Sequence, residues 1–301
     1  MNSIKFNAWI KACRLRTLPL SLSSIGMGGF LAAWVHSFKP LIFIFCVLTT
    51  ILLQILSNLA NDYGDFKNGA DSSIRKGPKR AVQSGLISSK SMKRAIIVFA
   101  LLSLFSGIYL LYLGLDISFN FLGFFLLGML AILAAIKYTA GKNPYGYAGF
   151  GDVSVFLFFG LVGVLGTYFL QTNEVSPSLL LPAASCGLFS VAVLNINNIR
   201  DIESDAMAGK KSIPVRLGPY KARIYHWCLL FLGCFLTLIF TWIRFSSLTQ
   251  LIYMASFILM IRNGMVIWNT KEPHLLDPYL KQMSLSTLFF VITFGIGLLM
   301  S

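Results

Sequence analysis

The sequence has little charge and few acidic residues. Asp, Glu, Lys and Arg together make up 12% of the 301 residues, and only 11 residues are acidic. A soluble domain carries about 25% charged residues, so this composition excludes an ordinary water-soluble fold. Hydrophobic residues account for 56% of the chain, which predicts a polytopic membrane protein.

Cysteine and histidine are also scarce, and neither forms a recognisable centre. The five cysteines contain no C-x-x-C pair, and the three histidines are scattered. Buried packing is the expected role of such cysteines. The residues concerned are Cys13, Cys46, Cys186, Cys228, Cys234, His36, His226 and His274. The sequence also lacks a Ser-His-Asp or Cys-His pattern, so no protein nucleophile is expected.

Apolar spans of roughly 20 residues run along the chain, each bounded by Pro, Gly or charge. The nine spans are 18–36, 41–61, 95–114, 118–137, 152–171, 178–199, 222–243, 247–268 and 284–300. They predict an all-α polytopic membrane protein with a single nine-helix transmembrane domain over 1–301. Asn61 and Asn197 lie four spans apart, which predicts two four-helix repeats plus one helix. Residues 1–17 lack an A-x-A cleavage site and are expected to form an amphipathic cytoplasmic lead-in.

The basic residues are confined to one side of these spans. Of the 25 Lys and Arg residues, 23 lie on that side, and only Lys39 and Arg244 fall opposite. The positive-inside rule places the rich side, with loops 62–94 and 200–221, in the cytoplasm and the C-terminus outside. The net charge of +14 therefore reflects topology and does not indicate a nucleic-acid partner. Nine of the 11 acids share this side, so we expect a polar working site there.

One acid cluster follows the sixth span, in the stretch LNINNIRDIESDAMAGKK. Its residues Asn197, Asp201 and Asp205 recur every four positions. On a helix this spacing places all three oxygens on one face. The stretch therefore predicts a set of oxygen ligands that point into one cavity.

The other acid cluster comes earlier in the chain and is called the first cluster below; it follows the second span, in the stretch NLANDYGDFKNGAD. Asn61 and Asp65 share the four-residue step, but the next step falls on Gly69, and an acid comes two residues later at Asp71. We expect the helix to break near Gly69, so that the loop delivers Asp71 to the site.

Basic residues follow both clusters, and together they predict a metal-bound polyphosphate. Hard oxygen ligands in facing clusters suit Mg²⁺, which commonly binds one or two carboxylates together with water and substrate phosphates. Arg and Lys are the usual phosphate partners. The bases are Lys76, Lys79 and Arg80 after the first cluster and Lys210, Lys211 and Arg216 after the second.

At these residues the chain resembles the UbiA-type intramembrane prenyltransferases. That family carries N-D-x-x-D-x-x-x-D after helix two and D-x-x-x-D after helix six. Asn61, Asp62 and Asp65 match the first motif, and Asp201 and Asp205 match the second. The position of Asp71 departs from the general pattern.

Four stretches are similar to the branch of the family that uses 1,4-dihydroxy-2-naphthoate as acceptor. They are ANDYGDFKNGAD, GPKRAVQSG, KNPYGYAGFGDVSVFLFFG and NNIRDIESDAMAGKKSIPVRLG. In the third stretch relatives also place an acid where this chain has Asp152. The implied reaction joins the polyprenyl group of a polyprenyl diphosphate to the naphthoate with decarboxylation, giving demethylmenaquinone at the bacterial inner membrane.

The resemblance also implies roles for individual residues. The implied Mg²⁺ ligands are Asn61, Asp62, Asp65, Asp71, Asn197, Asp201 and Asp205. The implied diphosphate contacts are Lys76, Lys79, Arg80, Lys142, Lys210 and Arg216. Asp65, Asp201 and Asp205 are the expected catalytic acids, with Tyr138 as an aromatic face for the allylic cation. The acceptor carboxylate would bind Arg80, Lys137 or Lys142, and the sequence leaves this choice open.

Other functions remain open at this level. Another member of the same family could act on 4-hydroxybenzoate, homogentisate, a porphyrin-derived ring or haem. Intramembrane acids and internal repeats also occur in cation-coupled transporters. A phosphatidyl-alcohol transferase is disfavoured, because its D-G-x2-A-R pattern is missing.

Overall fold

A computed structural model describes residues 2–71 and 76–301, and every regular element within these ranges is a helix. The helices are α1 (Asn2–Cys13), α2 (Leu18–Trp34), α3 (Pro40–Lys67), α4 (Ser89–Gly114), α5 (Phe119–Lys137), α6 (Gly151–Thr172), α7 (Leu180–Arg200), α8 (Ile202–Met207), α9 (Ile213–Ile243), α10 (Met254–Asn269) and α11 (Asp277–Leu299). The expected all-α membrane fold is confirmed.

Eight of the described helical segments are long and apolar enough to cross a membrane. They contain α3 to α7 and α9 to α11. Helix α2 coincides with the first expected span but has only 17 residues, which corresponds to about 26 Å against a hydrocarbon core of about 30 Å. The expected count of nine spans is therefore not confirmed, although each of the nine apolar stretches does form a helix.

The helices form two groups that meet along α2 and α3. In one group the buried helix α7 packs against α6, α9 and α11, and α2 packs against α6 and α11. In the other group α3 packs against α4 and α5. No residue of α5 is buried, so this helix lies at the edge of the bundle. The space between the two groups is where the site lies.

The end of α3 is shaped by two glycines. A Cβ atom at Gly64 would lie 2.5 Å from the carbonyl of Thr139, so this position lets α3 touch the turn after α5. The helix ends at Lys67, and Gly69 has a φ of 75°. Glycine adopts this left-handed conformation without steric cost. The expected break near Gly69 is confirmed.

The second acid cluster spans a bend between two helices. Helix α7 ends at Arg200, Asp201 follows with φ −102° and ψ 13°, and α8 begins at Ile202. The amide of Asp201 still donates to Asn197 at 3.1 Å, and the amide of Asp205 donates to Asp201 at 2.8 Å. These bonds keep the four-residue register, so the bend does not separate the three side chains.

Candidate active site

A cavity of about 450 Å³ opens between the two helix groups. Asn61, Asp65, Asn197, Asp201 and Asp205 all line it, so the structure brings both acid clusters to one space. Its lining follows α3 from Cys46 to Asp65, which is about 28 Å at 1.5 Å per residue. The wall away from the acids is mainly apolar and contains Leu53, Leu111, Phe124 and Leu170.

Asp65 is the best-connected acid of the first cluster. It is only 2% exposed, and it forms ion pairs with Arg80 and with Lys210. The hydroxyl of Tyr147 donates to its Oδ1 at 2.7 Å. Burial, followed by the nearby Asp65 carboxylate, raises the pKa of Tyr147, so the phenol stays a neutral donor.

Lys210 joins the two clusters through one nitrogen. Its Nζ lies 3.3 Å from Oδ1 of Asp65 and 3.0 Å from Oδ1 of Asp205. The same nitrogen lies 5.0 Å from the ring centroid of Tyr147, a cation–π distance. Burial raises the pKa of the Asp205 carboxyl despite the opposing effect of Lys210. The ammonium group of Lys210 thus lies between carboxylate oxygens of both clusters.

Arg200 organises the second cluster, although the sequence alone does not single it out. It is 2% exposed. Its Nε and Nη2 donate to the two oxygens of Asp201 at 3.0 and 2.7 Å, and Nη2 also donates to Oδ1 of Asn197 at 2.8 Å. On its other side it pairs with Asp277 of α11, which also pairs with Arg16 at 2.9 Å.

Asp62 lies behind the cavity lining. Its carboxylate is 2% exposed and accepts the backbone N–H groups of Ala81 at 3.1 Å and Val82 at 3.3 Å. These bonds tie the loop after α3 to the helix. A metal role for Asp62 stays a prediction, and the geometry favours a role in holding this loop.

Replacing Asp62 with alanine should therefore destabilise the protein. The change leaves two buried amide donors without acceptors, which costs about 1–3 kcal/mol. Thermal unfolding in detergent measures the loss, and Asp116→Ala, an exposed acid, is the control that should leave the midpoint unchanged. Equal midpoints for the two variants would show that Asp62 does not hold the loop.

Arg80 connects Asp71 to the cavity. Its Nε lies 3.2 Å from Oδ1 of Asp71, while its Nη1 donates to the carbonyl of Asn61 at 2.6 Å. Burial alone would lower the pKa of Arg80, but the carboxylates of Asp65, Asp71 and Asp62 raise it above its usual range. Arg80 lines the cavity, whereas Asp71 does not. A direct metal bond to Asp71 stays a prediction.

Tyr138 lines the cavity close to the acids. Burial, with a contribution from the Asp152 carboxylate, raises its pKa, so the ring is neutral. It packs edge-on against Tyr145 with 5.4 Å between ring centroids. This placement is consistent with the expected aromatic face, and its role with a cation stays a prediction.

Several bases expected at the diphosphate lie outside the described lining of the cavity. They are Lys76, Lys79, Lys142 and Arg216; Lys137, which was expected only at the acceptor carboxylate, also lies outside this lining, and all five residues are exposed. Arg216 donates to the carbonyl of Ala148 at 2.7 Å, so it fastens the first turn of α9 to the loop after α5. Of the expected cations, the structure brings Arg80 and Lys210 to the cavity. Arg75 lies outside the described residues.

The sequence alone did not single out Tyr147 or Arg200, and it did not predict the hydrogen bond from Tyr225 to Asp152. Tyr147 carried a signal in its neighbours, because it follows Tyr138 and Tyr145 in a glycine-rich loop. Arg200 stands between Asn197 and Asp201 in the motif itself, but topology explains an arginine at a helix end equally well. Neither residue could be recognised as part of the site from the sequence alone.

The donor set fits a hard divalent cation that is completed by other ligands. In residues 2–71 and 76–301, no three acidic, His or Cys side chains converge into a group that could hold a metal alone. The lining instead combines aspartates with Asn61 and Asn197, whose amide oxygens accept from Thr139 and Arg200. Mg²⁺ commonly keeps waters and substrate phosphates beside one or two carboxylates. The residues present therefore fit such a cation together with a phosphorylated ligand.

The fold and cavity define a multi-pass membrane protein with an acid-lined intramembrane site. The UbiA prenyltransferase family matches residues 21–288, and the chain belongs to this family. It is 44% identical to 1,4-dihydroxy-2-naphthoate octaprenyltransferase of Haemophilus influenzae, over 98% of this chain and 96% of that protein. The Escherichia coli protein of the same name is 41% identical over 98% and 96%.

Solved structures show the same fold at low sequence identity. A UbiA homolog from Aeropyrum pernix K1 has a TM-score of 0.66 at 17% identity and covers 94% of this chain and 96% of that chain. A homolog from Archaeoglobus fulgidus, bound to DMAPP and Mg²⁺, has a TM-score of 0.59 at 16% identity, with coverage of 97% and 98%.

Proposed function

We propose that the chain transfers a polyprenyl group from a polyprenyl diphosphate to 1,4-dihydroxy-2-naphthoate. The carboxylate leaves as CO₂, and demethylmenaquinone is formed for menaquinone biosynthesis. The main support is one cavity that connects acids of both clusters to an apolar channel along α3. The polar mouth suits a diphosphate and the channel suits an isoprenoid chain. The two relatives above carry this acceptor in their names.

Mg²⁺ is the proposed cation, held by oxygens of Asn61, Asp65, Asn197, Asp201 and Asp205. When bound, it would neutralise the diphosphate and make it a better leaving group. Arg80 and Lys210 lie beside the acids and would bind phosphate oxygens. Asp62 and Asp71 would support this arrangement through the loop after α3.

The protein's own contribution to the chemistry is positioning and exclusion of water. Departure of diphosphate leaves an allylic cation, which water would destroy. The ring of Tyr138 lines the cavity beside the acids and would face that cation. The two hydroxyls of the naphthoate make its ring electron-rich, so the ring can attack without a protein nucleophile.

We further propose that the acid-lined mouth faces the cytoplasm of a bacterial inner membrane, with the C-terminus outside. The distribution of Lys and Arg supports this orientation. A cation-coupled transporter is disfavoured, because both clusters lie at one end of the helices, whereas transporter sites lie near the midplane. A different aromatic acceptor is the alternative that an assay must separate.

Purified protein in detergent, with Mg²⁺ and octaprenyl diphosphate, tests this function. We expect turnover of 1,4-dihydroxy-2-naphthoate, and no turnover of 4-hydroxybenzoate at the same concentration. EDTA should abolish activity, and added Mg²⁺ should restore it, because without a divalent cation the carboxylates repel the diphosphate. Turnover of hydroxybenzoate alone would overturn the acceptor, and full activity in EDTA would overturn the metal.

A further inference from the structure

Asp152 is a cavity-lining acid that belongs to neither cluster. It lies in the first turn of α6, is 6% exposed, and lines the cavity together with Tyr138, Tyr145 and Ser154. The other acids of the described lining each form an ion pair with a base of the chain. In the described part of the chain no Lys, Arg or His forms an ion pair with Asp152. The negative charge of Asp152 is therefore not balanced by an ion pair within the described residues, unlike the charges of the cluster acids.

The partner of Asp152 is a tyrosine from another helix. The hydroxyl of Tyr225 in α9 donates to its Oδ2 at 3.0 Å. A carboxylate has about four acceptor positions, so this bond leaves acceptor capacity that faces the cavity. A buried carboxylate needs hydrogen-bond donors to offset the loss of water. A ligand that brings an O–H group to this wall would supply one.

The position of Asp152 relates it to the reacting end of the cavity. A Cβ atom at the preceding Gly151 would lie 2.8 Å from the hydroxyl of Tyr138, so the backbone beside Asp152 touches that tyrosine. The same loop carries Tyr147, which binds Asp65. Asp152 thus adjoins Tyr138 and the loop that carries Tyr147, without being one of the metal–diphosphate residues.

We infer that Asp152 binds a ring hydroxyl of the aromatic acceptor. The inference rests on the proposed function and places the aromatic acceptor at the Asp152 side of the same cavity. A hydrogen bond from a phenol to a carboxylate is charge-assisted and increases the electron density of the ring that attacks. The carboxylate also repels the acceptor's own carboxylate, so it selects the orientation in which a hydroxyl faces α6. Tyr225 positions Asp152 for this contact.

Asp152→Asn tests the role, because asparagine keeps the shape and can still accept from Tyr225. We expect KM for dihydroxynaphthoate to rise about 10- to 100-fold, the range for a hydrogen bond to a charged group. KM for octaprenyl diphosphate should not change. Direct binding of the naphthoate, measured by its fluorescence without donor or Mg²⁺, should weaken by the same factor. Asp116→Asn, an exposed acid, is the matched control and should resemble the wild type.

Mono-methyl ethers of the acceptor complete the test. The wild type should lose affinity for the ether that blocks the bound hydroxyl, and Asp152→Asn should discriminate the same ether from the diol by less than threefold. A double-mutant cycle of this kind isolates the contact. If the wild type turns over dihydroxynaphthoate and Asp152→Asn binds it equally well, this inference is wrong while the proposed function stands. If the wild type neither binds nor converts the naphthoate, both fail.

Discussion

Replacing Asp205 with asparagine is expected to lower kcat by at least about 100-fold, the usual cost of removing one charge-stabilising group from a reacting centre. Asp205 shares a cation with Asp65 across the two clusters, so its charge acts where the diphosphate would sit. Asparagine keeps the size of the side chain and removes only the charge. The protein should remain folded and inserted.

The neighbouring acid Glu203 provides the matched control. It lies two residues earlier in α8 and is exposed. Glu203→Gln removes the same charge from the same short helix, and we expect activity within about twofold of the wild type, as for other exposed charges. Steady-state turnover with saturating Mg²⁺ measures both variants. Equal activities for Asp205→Asn and Glu203→Gln would refute a role for Asp205 in the site.

Replacing Arg200 with methionine should have the largest effect on stability. Removing one partner of a buried ion pair leaves the other charge uncompensated and costs about 3–5 kcal/mol. Asp201 would lose both donors that Arg200 gives to its carboxylate, and among the described residues Asp277 would keep its ion pair with Arg16. Reversible unfolding in mixed micelles measures the free energy.

Two comparisons separate this effect from the loss of any arginine. Arg262→Met, at an exposed position in α10, should change the unfolding free energy by less than about 0.5 kcal/mol. Arg200→Lys retains charge but lacks the planar fork, so its stability should fall between wild type and Arg200→Met. An Arg200→Met protein as stable as Arg262→Met would contradict the buried network.

The sequence predicted the parts of the site that follow from helical spacing. The four-residue steps through Asn197, Asp201 and Asp205 and through Asn61 and Asp65 needed only helix geometry, and in the structure all five residues line one cavity. The break at Gly69 followed from the missing carboxylate at the next step.

The remaining features depend on which loops touch. The loop after α5 brings Tyr147 onto Asp65, and the backbone amide of Lys211 donates to Tyr147 at 2.8 Å. Such contacts join distant segments, so no local pattern contains them. For the same reason the sequence could not separate Lys210, which reaches both clusters, from Lys76 and Lys79, which are exposed.

We propose that one cavity joins the prenyl group of a polyprenyl diphosphate to a naphthoate, which loses its carboxylate. The mass of the product formed from octaprenyl diphosphate and 1,4-dihydroxy-2-naphthoate, with Mg²⁺ and purified protein, tests it most directly. We expect one octaprenyl group attached to the naphthalene diol, without the mass of CO₂, and no such product from Asp205→Asn. A product that retains the carboxylate, or an unprenylated acceptor with full recovery of the diphosphate, would contradict it.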